Sequence, residues 1–527
     1  MAQAILAQVR SHFPSSGRAS PQRALPAVMS CKNMLRAAFA AALAASRGAF
    51  AVVQDTARIA AGECSKTIPT GSQTYFPAPK QVHADAMLAK LFTVTYAPTF
   101  KVLTDSLSKE QYVLTQCGQV QPSVAAVNAV EVLKTGYIRK YFGVPVQSSA
   151  AMSTVLLAFI DSLGVQDRVK FVDSYATAPC WQKALACDAK METSYGNVTL
   201  HAEQLAGVDV VFMSCGSDCT NVNTQKNGVN VPVTQEAGPV ESAEYIKYIA
   251  AFFNLEPKAN ELFAATQTSY AQASSGKSAM PPLVAWITYN AKSDWSAESF
   301  VVSQASYKTM MVTNVGATNL NASTALAGIA GLQVTDAVTG NPASGKTYTI
   351  PTNDDKDAAA KAFFKALEGV DVIVDEVYAP DPTTYNFTSF LSTYGLTSSS
   401  DLKFVKNKMV LRIDRTMGEA MKSLDWYESR IAKPEWAMEG LARVVYGDTS
   451  KRAKYFRNVA KDETVDQVLK AVGCTTALPV CSALINPVPI KTLGEVKVGG
   501  TEVAGAEALR VVPLVALAVA ALWAAVV

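Results

Sequence analysis

The stretch from Gly228 to Asn254, GVNVPVTQEAGPVESAEYIKYIAAFFN, joins a β-branched run to a long helical one, and that join restricts the folds open to the chain. Apolar Tyr245, Ile246, Ile249, Ala250, Phe252, Phe253 and Leu255 are followed by Ala259, Leu262, Phe263 and Ala265, close to the i, i+3, i+4, i+7 spacing of a helical stripe. Pro257 is expected to kink or divide the run, and Ser274 to Gly276 to end it. About 30 helical residues at 1.5 Å each extend roughly 45 Å, long for a packed crossover and suited to a strut between two lobes.

At 527 residues and 49% hydrophobic content the chain can bury a substantial core, and length alone points to about two to four domains. Its ends are special. The first 54 residues carry six basic side chains (Arg10, Arg18, Arg23, Lys32, Arg36, Arg47) and no acidic one, so removing them from the formal +3 leaves the remainder near −3. No basic patch recommends nucleic acid as a partner. Within that leader, Met34 to Ala45 is a short apolar run, and Ala49-Phe50-Ala51 supplies small residues for cleavage, the pattern of a secretory signal over residues 1–51. A transit peptide, or a start at Met29 or Met34, is the competing reading.

At the other end, residues 511–527 (VVPLVALAVAALWAAVV) are uncharged, and a polar spacer separates them from Gly499, Gly500 and Thr501. This is the layout of a lipid-anchor attachment signal, with Gly499 and Gly500 as attachment candidates. A single-pass helix is the alternative; it ordinarily needs about 20 apolar residues and gains from basic residues beyond them. Both place the protein at a membrane, on the outer face of the cell if the leader directs secretion.

Setting Cys31 aside with the leader leaves Cys64, Cys117, Cys180, Cys187, Cys215, Cys219, Cys474 and Cys481, an even number grouped mostly in close pairs. Local bridges Cys180 to Cys187, Cys215 to Cys219 and Cys474 to Cys481 are expected, leaving Cys64 with Cys117. Sequons at Asn197, Asn321 and Asn386 fit the same extracytoplasmic route.

Between these ends, residues 52–84 read as irregular. Phe92 to Leu103 and Gln111 to Thr115 read as a β-hairpin. Val144 to Val146, a helix over Ala151 to Leu163, Val169 to Val172, a helix near Ala202, and Val208 to Met213 alternate as in βαβ units. After the strut the same pattern resumes: strands at Leu283 to Tyr289, Val370 to Val374 and Met409 to Ile413, and helices from Tyr307, over Ala358 to Leu367, around Trp426 to Arg443 and over Val465 to Val472. The expected class is α/β: two Rossmann-like lobes, 85–240 and 281–472, joined by one long helix at 241–275, with an N-terminal β-hairpin. A disulfide-closed linker at 473–510 precedes the apolar tail.

Four blocks carry a family resemblance. VPVQSSAAMSTVLLAFIDSLGVQD (144–167), LAGVDVVF (205–212), the segment 236–254, and DWYESRIAKP (425–434) occur in the order found in bacterial extracytoplasmic substrate-binding proteins for iron-siderophores and cobalamin. The cysteines and tail look more like the surface-anchored forms of algae and oomycetes. The resemblance implies capture without catalysis of a small metal chelate, an iron(III) chelate of the siderophore type with cobalamin or iron as alternatives, in a crevice between lobes. It also implies a monomer that works with a transporter or endocytic receptor, and surface glutamates, here Glu244 and Glu428, as transporter contacts.

Open α/β sheets place ligands at the carboxyl ends of their strands. By pattern those positions hold Ser148 and Ser149, Tyr175, Ser214 and Cys215 in the first lobe. In the second they hold Trp286, Tyr289, Glu376, Tyr378, Arg412 and Arg415. Aromatic rings supply area and arginine supplies forked hydrogen bonds to oxyanions. No resident cofactor is expected. Tyr175, Tyr289, Tyr378 and Tyr385 keep direct iron(III) binding open as an alternative.

GNPASGKT, from Gly340 to Thr347, matches the phosphate-loop string, with DVIVDE (371–376) imitating the acidic strand. That chemistry needs a helix beginning at Lys346, whereas Thr347 to Pro351 is β-branched and broken by proline. The three histidines, His12, His83 and His201, give little basis for a catalytic set, and no nucleophile-elbow motif is present. A surface reductase or hydrolase on the same scaffold, and a receptor module with an empty crevice, remain the competing classes.

Overall fold

The computed structural model of the protein describes residues 64–467, apart from 65–66, 68–72, 83–86, 189–190, 195, 216–217, 275–279, 294–296, 339–340, 353–354, 419–422, 449 and 452. The leader with Cys31, as well as His83, Cys474, Cys481, Gly499, Gly500 and the apolar run 511–527, lies outside the described residues. Among the described residues no helix is long and apolar enough to cross a membrane.

The first lobe holds two sheets. Strands β1 (Phe92–Tyr96), β2 (Phe100–Asp105) and β3 (Glu110–Gln116) form an antiparallel meander, and β4 (Ile138–Val144) adds in parallel to β3. The expected single hairpin is therefore two, because Pro98 interrupts the first run at a position without a ladder amide. The second sheet, ordered β6-β5-β7-β8, is wholly parallel: β5 (Ser149–Ala151), β6 (Val169–Val172), β7 (Val210–Met213) and β8 (Gly228–Asn230). Helix α1 (Leu157–Leu163) connects β5 to β6 and ends on Gly164 at φ 71°, a left-handed cap that suits glycine. Helices α2 (Pro179–Cys187) and α3 (Val198–Ala206) connect β6 to β7.

The connector is built differently from the expected rod. It comprises α4 (Pro239–Ala243), α5 (Tyr245–Ala251) and α6 (Glu256–Ala273). Every residue of α5 is buried, so this part is a core helix of the first lobe. Its Tyr245 and Tyr248, with Phe252, pack among Phe92, Tyr112, Phe142 and Phe212 from both sheets. The break falls at Phe252 to Leu255, where Asn254 adopts φ 56°, and Pro257 sits in the first turn of α6, where a missing amide costs nothing. Only α6, 18 residues and so roughly 27 Å, crosses between lobes, packed against α11 (Pro434–Tyr446) of the second.

The second lobe centres on one eight-stranded mixed sheet ordered β12-β13-β10-β9-β14-β15-β17, with β11 (Thr318–Asn319) beside the start of β9. Its parallel centre is β9 (Leu283–Asn290), β14 (Val372–Asp375) and β15 (Val410–Arg412), close to the expected strands. Strands β10 (Ser299–Ala305), β12 (Gln333–Val338), β13 (Asn341–Pro351) and β17 (Arg457–Asn458) extend it antiparallel. Helices α7 (Ser306–Asn314), α8 (Lys356–Ala366), α9 (Phe387–Tyr394) and α10 (Asp425–Glu428) complete the lobe with α11. The phosphate-loop string thus lies in a hairpin strand: Lys346 pairs with Gln304 of β10 and binds Asp336 of β12, with no helix start at its position. Residues 466 and 467, expected in a helix, form β18 (Asp466–Gln467) against β16 (Thr416–Met417).

The three sequon asparagines share one structural role. Asn197, Asn321 and Asn386 are exposed helix N-caps whose side-chain oxygens accept from the amides of Leu200 (3.1 Å), Thr324 (3.2 Å) and Ser389 (3.0 Å). Cap chemistry alone accounts for asparagine at these positions.

Disulfides Cys64–Cys117 and Cys215–Cys219 are present. Cys180 and Cys187 are both disulfide-bonded, yet they stand at opposite ends of α2, roughly 10 Å apart by helical rise. One bridge spans at most about 7 Å between Cα atoms, so the expected Cys180 to Cys187 pairing is corrected: each has a different partner.

Candidate functional site

The lobes meet along a seam. At this seam α10 packs on Thr154 to Leu156, the turn that follows β5. Glu428, 1% exposed, accepts hydrogen bonds from the amides of Thr177 and, at 3.0 Å, Ala178, which follow β6. Ile431 and Ala432 insert into the apolar core of the first lobe. Burial pushes the Glu428 carboxyl well above the carboxylate range, helped by the nearby charges of Asp425 and Asp161. Asp161 on α1 is likewise raised, to about 8, chiefly by burial; the Trp181 indole donating at 3.0 Å and the charge of Lys433 act in the opposite direction.

Loops at the carboxyl ends of strands in both lobes carry exposed phenols. After β6, Asp173 turns the chain by accepting from the Tyr175 amide at 2.8 Å, and the Tyr175 side chain remains 47% exposed. After β14, Asp375 anchors the loop from inside: it accepts from the Val377 amide (3.0 Å), Tyr385 (2.9 Å), Tyr394 (2.8 Å) and Arg412 (2.8 Å). That anchoring fixes the loop bearing Tyr378, which is 67% exposed. Tyr427, 47% exposed, follows Trp426 in α10. Burial pushes the Tyr427 hydroxyl up to about 12, and the charge of Glu376 adds to the effect.

Glu376 is held in turn. Lys308 of α7 pairs with it, donates to Ser303 at 3.2 Å, and lies 5.2 Å from the centre of the Trp286 ring. Arg430 stacks between the Tyr307 and Trp426 rings at 4.8 Å from each. Trp286 Nε1 and Arg430 Nε and Nη1 are buried donors without a hydrogen-bond partner. The β12–β13 hairpin also reaches across: Asn341 donates to the Gln235 carbonyl at 2.7 Å.

The predicted positions separate on this geometry. Tyr175, Ser214, Glu376 and Tyr378 occupy carboxyl strand ends, with Ser214 exposed. Ser148 and Ser149 do not. Strand β4 stops at Val144 before Pro145, and the chain enters β5 at Ser149, so both serines begin a strand rather than end one. Their hydroxyls join strand starts: Ser148 accepts from the Asp209 amide at 3.0 Å, and Ser149 donates to the Arg168 carbonyl at 3.1 Å. Trp286 is 1% exposed within the second lobe. Tyr289 packs on Phe300 and Tyr394 and bonds to Glu298 and Lys356.

Both predicted arginines are consumed by buried carboxylates. Arg412 binds Asp375, Asp414 (2.6 Å) and the Val377 carbonyl (3.0 Å), and Arg415 binds Asp466 (3.0 Å) and Glu463 (3.2 Å). Burial opposes the charge on Asp414, but the guanidiniums of Arg412 and Arg457 outweigh it and hold the carboxyl below its ordinary value. The two glutamates expected at a transporter surface are internal. Besides Glu428, Glu244 is 0% exposed, accepts from the amides of Leu88 (2.6 Å) and Ala89 (2.8 Å), and pairs with Lys247. Lys308, Tyr427 and Arg430 were not legible as site residues. The strand that delivers Lys308 was not assigned, while Tyr427 and Arg430 lay inside the DWYESRIAKP block without any sign of which side chains faced the seam. Among the described residues no group of three or more His, Cys, Asp or Glu side chains could hold a metal ion.

No family model and no curated protein matches the chain. Solved structures that it resembles include a periplasmic binding protein from Veillonella parvula, at 13% identity over 57% of this chain and 91% of that one with TM-score 0.39. A periplasmic heme-binding protein of Vibrio cholerae matches at 13% identity over 57% and 99% with TM-score 0.39. An ABC-type Fe3+-hydroxamate transport system protein from Saccharomonospora viridis matches at 14% identity over 57% and 94% with TM-score 0.37.

Proposed function

We propose that the chain is a solute-binding protein that holds an oxygen-rich, anionic metal chelate of the iron-siderophore type between its two lobes, without transforming it. The observation that carries this reading is a set of exposed phenols, Tyr175 and Tyr378 on strand-end loops of the two lobes and Tyr427 on α10, with Glu376 and Arg430 among the charged neighbours of Tyr427 and unpartnered donors on Arg430. Aromatic faces supply contact area, and cations with spare N–H groups suit oxyanions. Arg412 and Arg415 have no part in it, because their donors are committed inside the second lobe.

The test is thermal unfolding of the purified protein with a ferric hydroxamate, a ferric catecholate, free iron(III), cobalamin and nucleotides. A ligand present at 100 times its Kd stabilises the folded state by about 2.7 kcal/mol. A ferric chelate is expected to raise the Tm, and a Tyr175→Ala, Tyr427→Ala double variant to lose most of that rise. Flat responses to every chelate would overturn the reading, and turnover abolished by His201→Ala would replace it with an enzyme. Attachment through Gly499 or Gly500 belongs to the same reading, and release from intact cells by a phosphoinositide-specific phospholipase distinguishes a lipid anchor from a spanning helix.

A further inference from the structure

Where the lobes meet, Glu428 has two further carboxyls within electrostatic reach, Asp425 of its own helix and Asp161 of the first lobe. Glu428 and Asp425 are both buried, and Glu428 spends its oxygens on the amides of Thr177 and Ala178 across the seam. Asp161 belongs to α1, which continues from the turn Thr154 to Leu156 on which α10 packs. It accepts from the indole of Trp181, buried at the start of α2, and feels the charge of Lys433 from the second lobe. Each acid is thus tied to the opposite lobe.

Cations near these acids are committed elsewhere or stand back. Lys454 pairs with Asp425 at 2.7 Å. Arg430 is stacked between the Tyr307 and Trp426 rings, and Lys433 is half-buried. Helix α2 carries the buried Lys183. The turn Thr154 to Leu156 and strand β16, also packed on α10, have no charged side chain. Among the described residues neither Glu428 nor Asp161 is in an ion pair. Buried acids in that position keep protons more readily than charges.

We infer that the seam is a proton-operated latch, in which Asp161 and Glu428 hold protons while the lobes are in contact there and give them up to water as the lobes part. Parting hydrates both carboxyls and returns them toward their ordinary range of about 4. Contact raises Asp161 to about 8, and Glu428 well above its ordinary value. Acid conditions therefore favour contact, and rising pH favours parting; for Asp161 the window runs from about 4 to about 8. Lys433 works against the latch, because its charge favours the ionised form of Asp161. The latch rests on the seam alone and not on the chelate reading, so either can fail without the other.

Hydrogen exchange followed by mass spectrometry at pH 5, 6 and 7, with each rate divided by the intrinsic rate at that pH, tests this on the full chain. Opening at Thr177 and Ala178 is expected to rise at least about tenfold per pH unit, the dependence that release of one proton gives, while β2 and β3 stay better protected at every pH. Asp161→Asn keeps an acceptor for the Trp181 indole and is expected to lower that factor about tenfold. Glu428→Gln is expected to make the slope shallower as well, whatever its absolute rate, and serves if Asp161→Asn does not fold. A flat profile in the parent protein, a slope that neither variant diminishes, or seam amides that open only together with those of β2 and β3 overturns the latch.

Discussion

At the scale of single residues, the described structure separates side chains that carry the scaffold from side chains offered to a ligand. Arg412 to Ala leaves Asp375 and Asp414 buried without their shared cation, and removal of one partner from such a set costs about 3–5 kcal/mol. Tyr378 to Ala removes an exposed ring and is expected to change stability by less than about 0.5 kcal/mol. Chemical denaturation of the two variants checks the contrast, and similar losses would mean that Tyr378 is structural. Asp161 gives a second prediction. Its folded-state pKa of about 8 exceeds that of an unfolded aspartate, about 3.9, so the fold binds the proton more tightly. The stability it contributes is complete below about pH 4 and is lost as pH rises toward 8. Asp161→Asn keeps an acceptor for the Trp181 indole, and is expected to raise the Tm at pH 8 and to flatten its decline between pH 5 and 8. An unchanged slope would mean that Asp161 is ionised in the fold.

At the scale of elements, the helical stripe from Tyr245 was legible because it repeats with the period of a helix, but the same pattern could not say which turns were enclosed. Strand β5 was misplaced because it is three residues of Ser and Ala, with no β-branched signal, and that misplacement carried Ser148 and Ser149 into the expected site. Hairpin β12–β13 hid behind a Gly- and Ser-rich stretch that imitates a phosphate loop. The break between α5 and α6 was signalled by Pro257, yet its position is set by distant partners. Asn254 accepts from Lys101 of β2 at 2.9 Å and donates to Gln116 of β3 at 2.9 Å, and Lys101, fully buried, pairs with Glu256. No local pattern encodes those contacts. Lys101→Met is expected to cost about 3–5 kcal/mol because it strands Glu256, and adding Glu256→Gln to recover part of the loss. A double-mutant cycle by urea denaturation reads the coupling, and purely additive losses would show that the pair does not hold the break.

At the scale of the whole molecule, the two-lobed α/β architecture was legible from the alternation of strand and helix patterns, whereas the seam was not, because a seam is defined by residues hundreds of positions apart. Glu428 shows what that costs a sequence reading. As part of a recognisable block it looked like a surface carboxylate, and in the fold it is a residue through which the second lobe binds the backbone of the first. Its two amide hydrogen bonds replace what hydration would otherwise give Thr177 and Ala178, so they tie local opening of the seam to the loss of a buried carboxylate's partners. Glu428→Gln offers one acceptor oxygen in place of two and leaves the core strands untouched. Losing a hydrogen bond of roughly 1.4 kcal/mol corresponds to a tenfold change. Hydrogen exchange followed by mass spectrometry is therefore expected to show the amides of Thr177 and Ala178 exchanging about tenfold faster, while those of β2 and β3 keep their protection. If instead the whole chain loses protection together, the lobes unfold as one unit and the seam has no separate opening; if nothing changes, the seam is held there by Trp426, Ile431 and Ala432 rather than by Glu428.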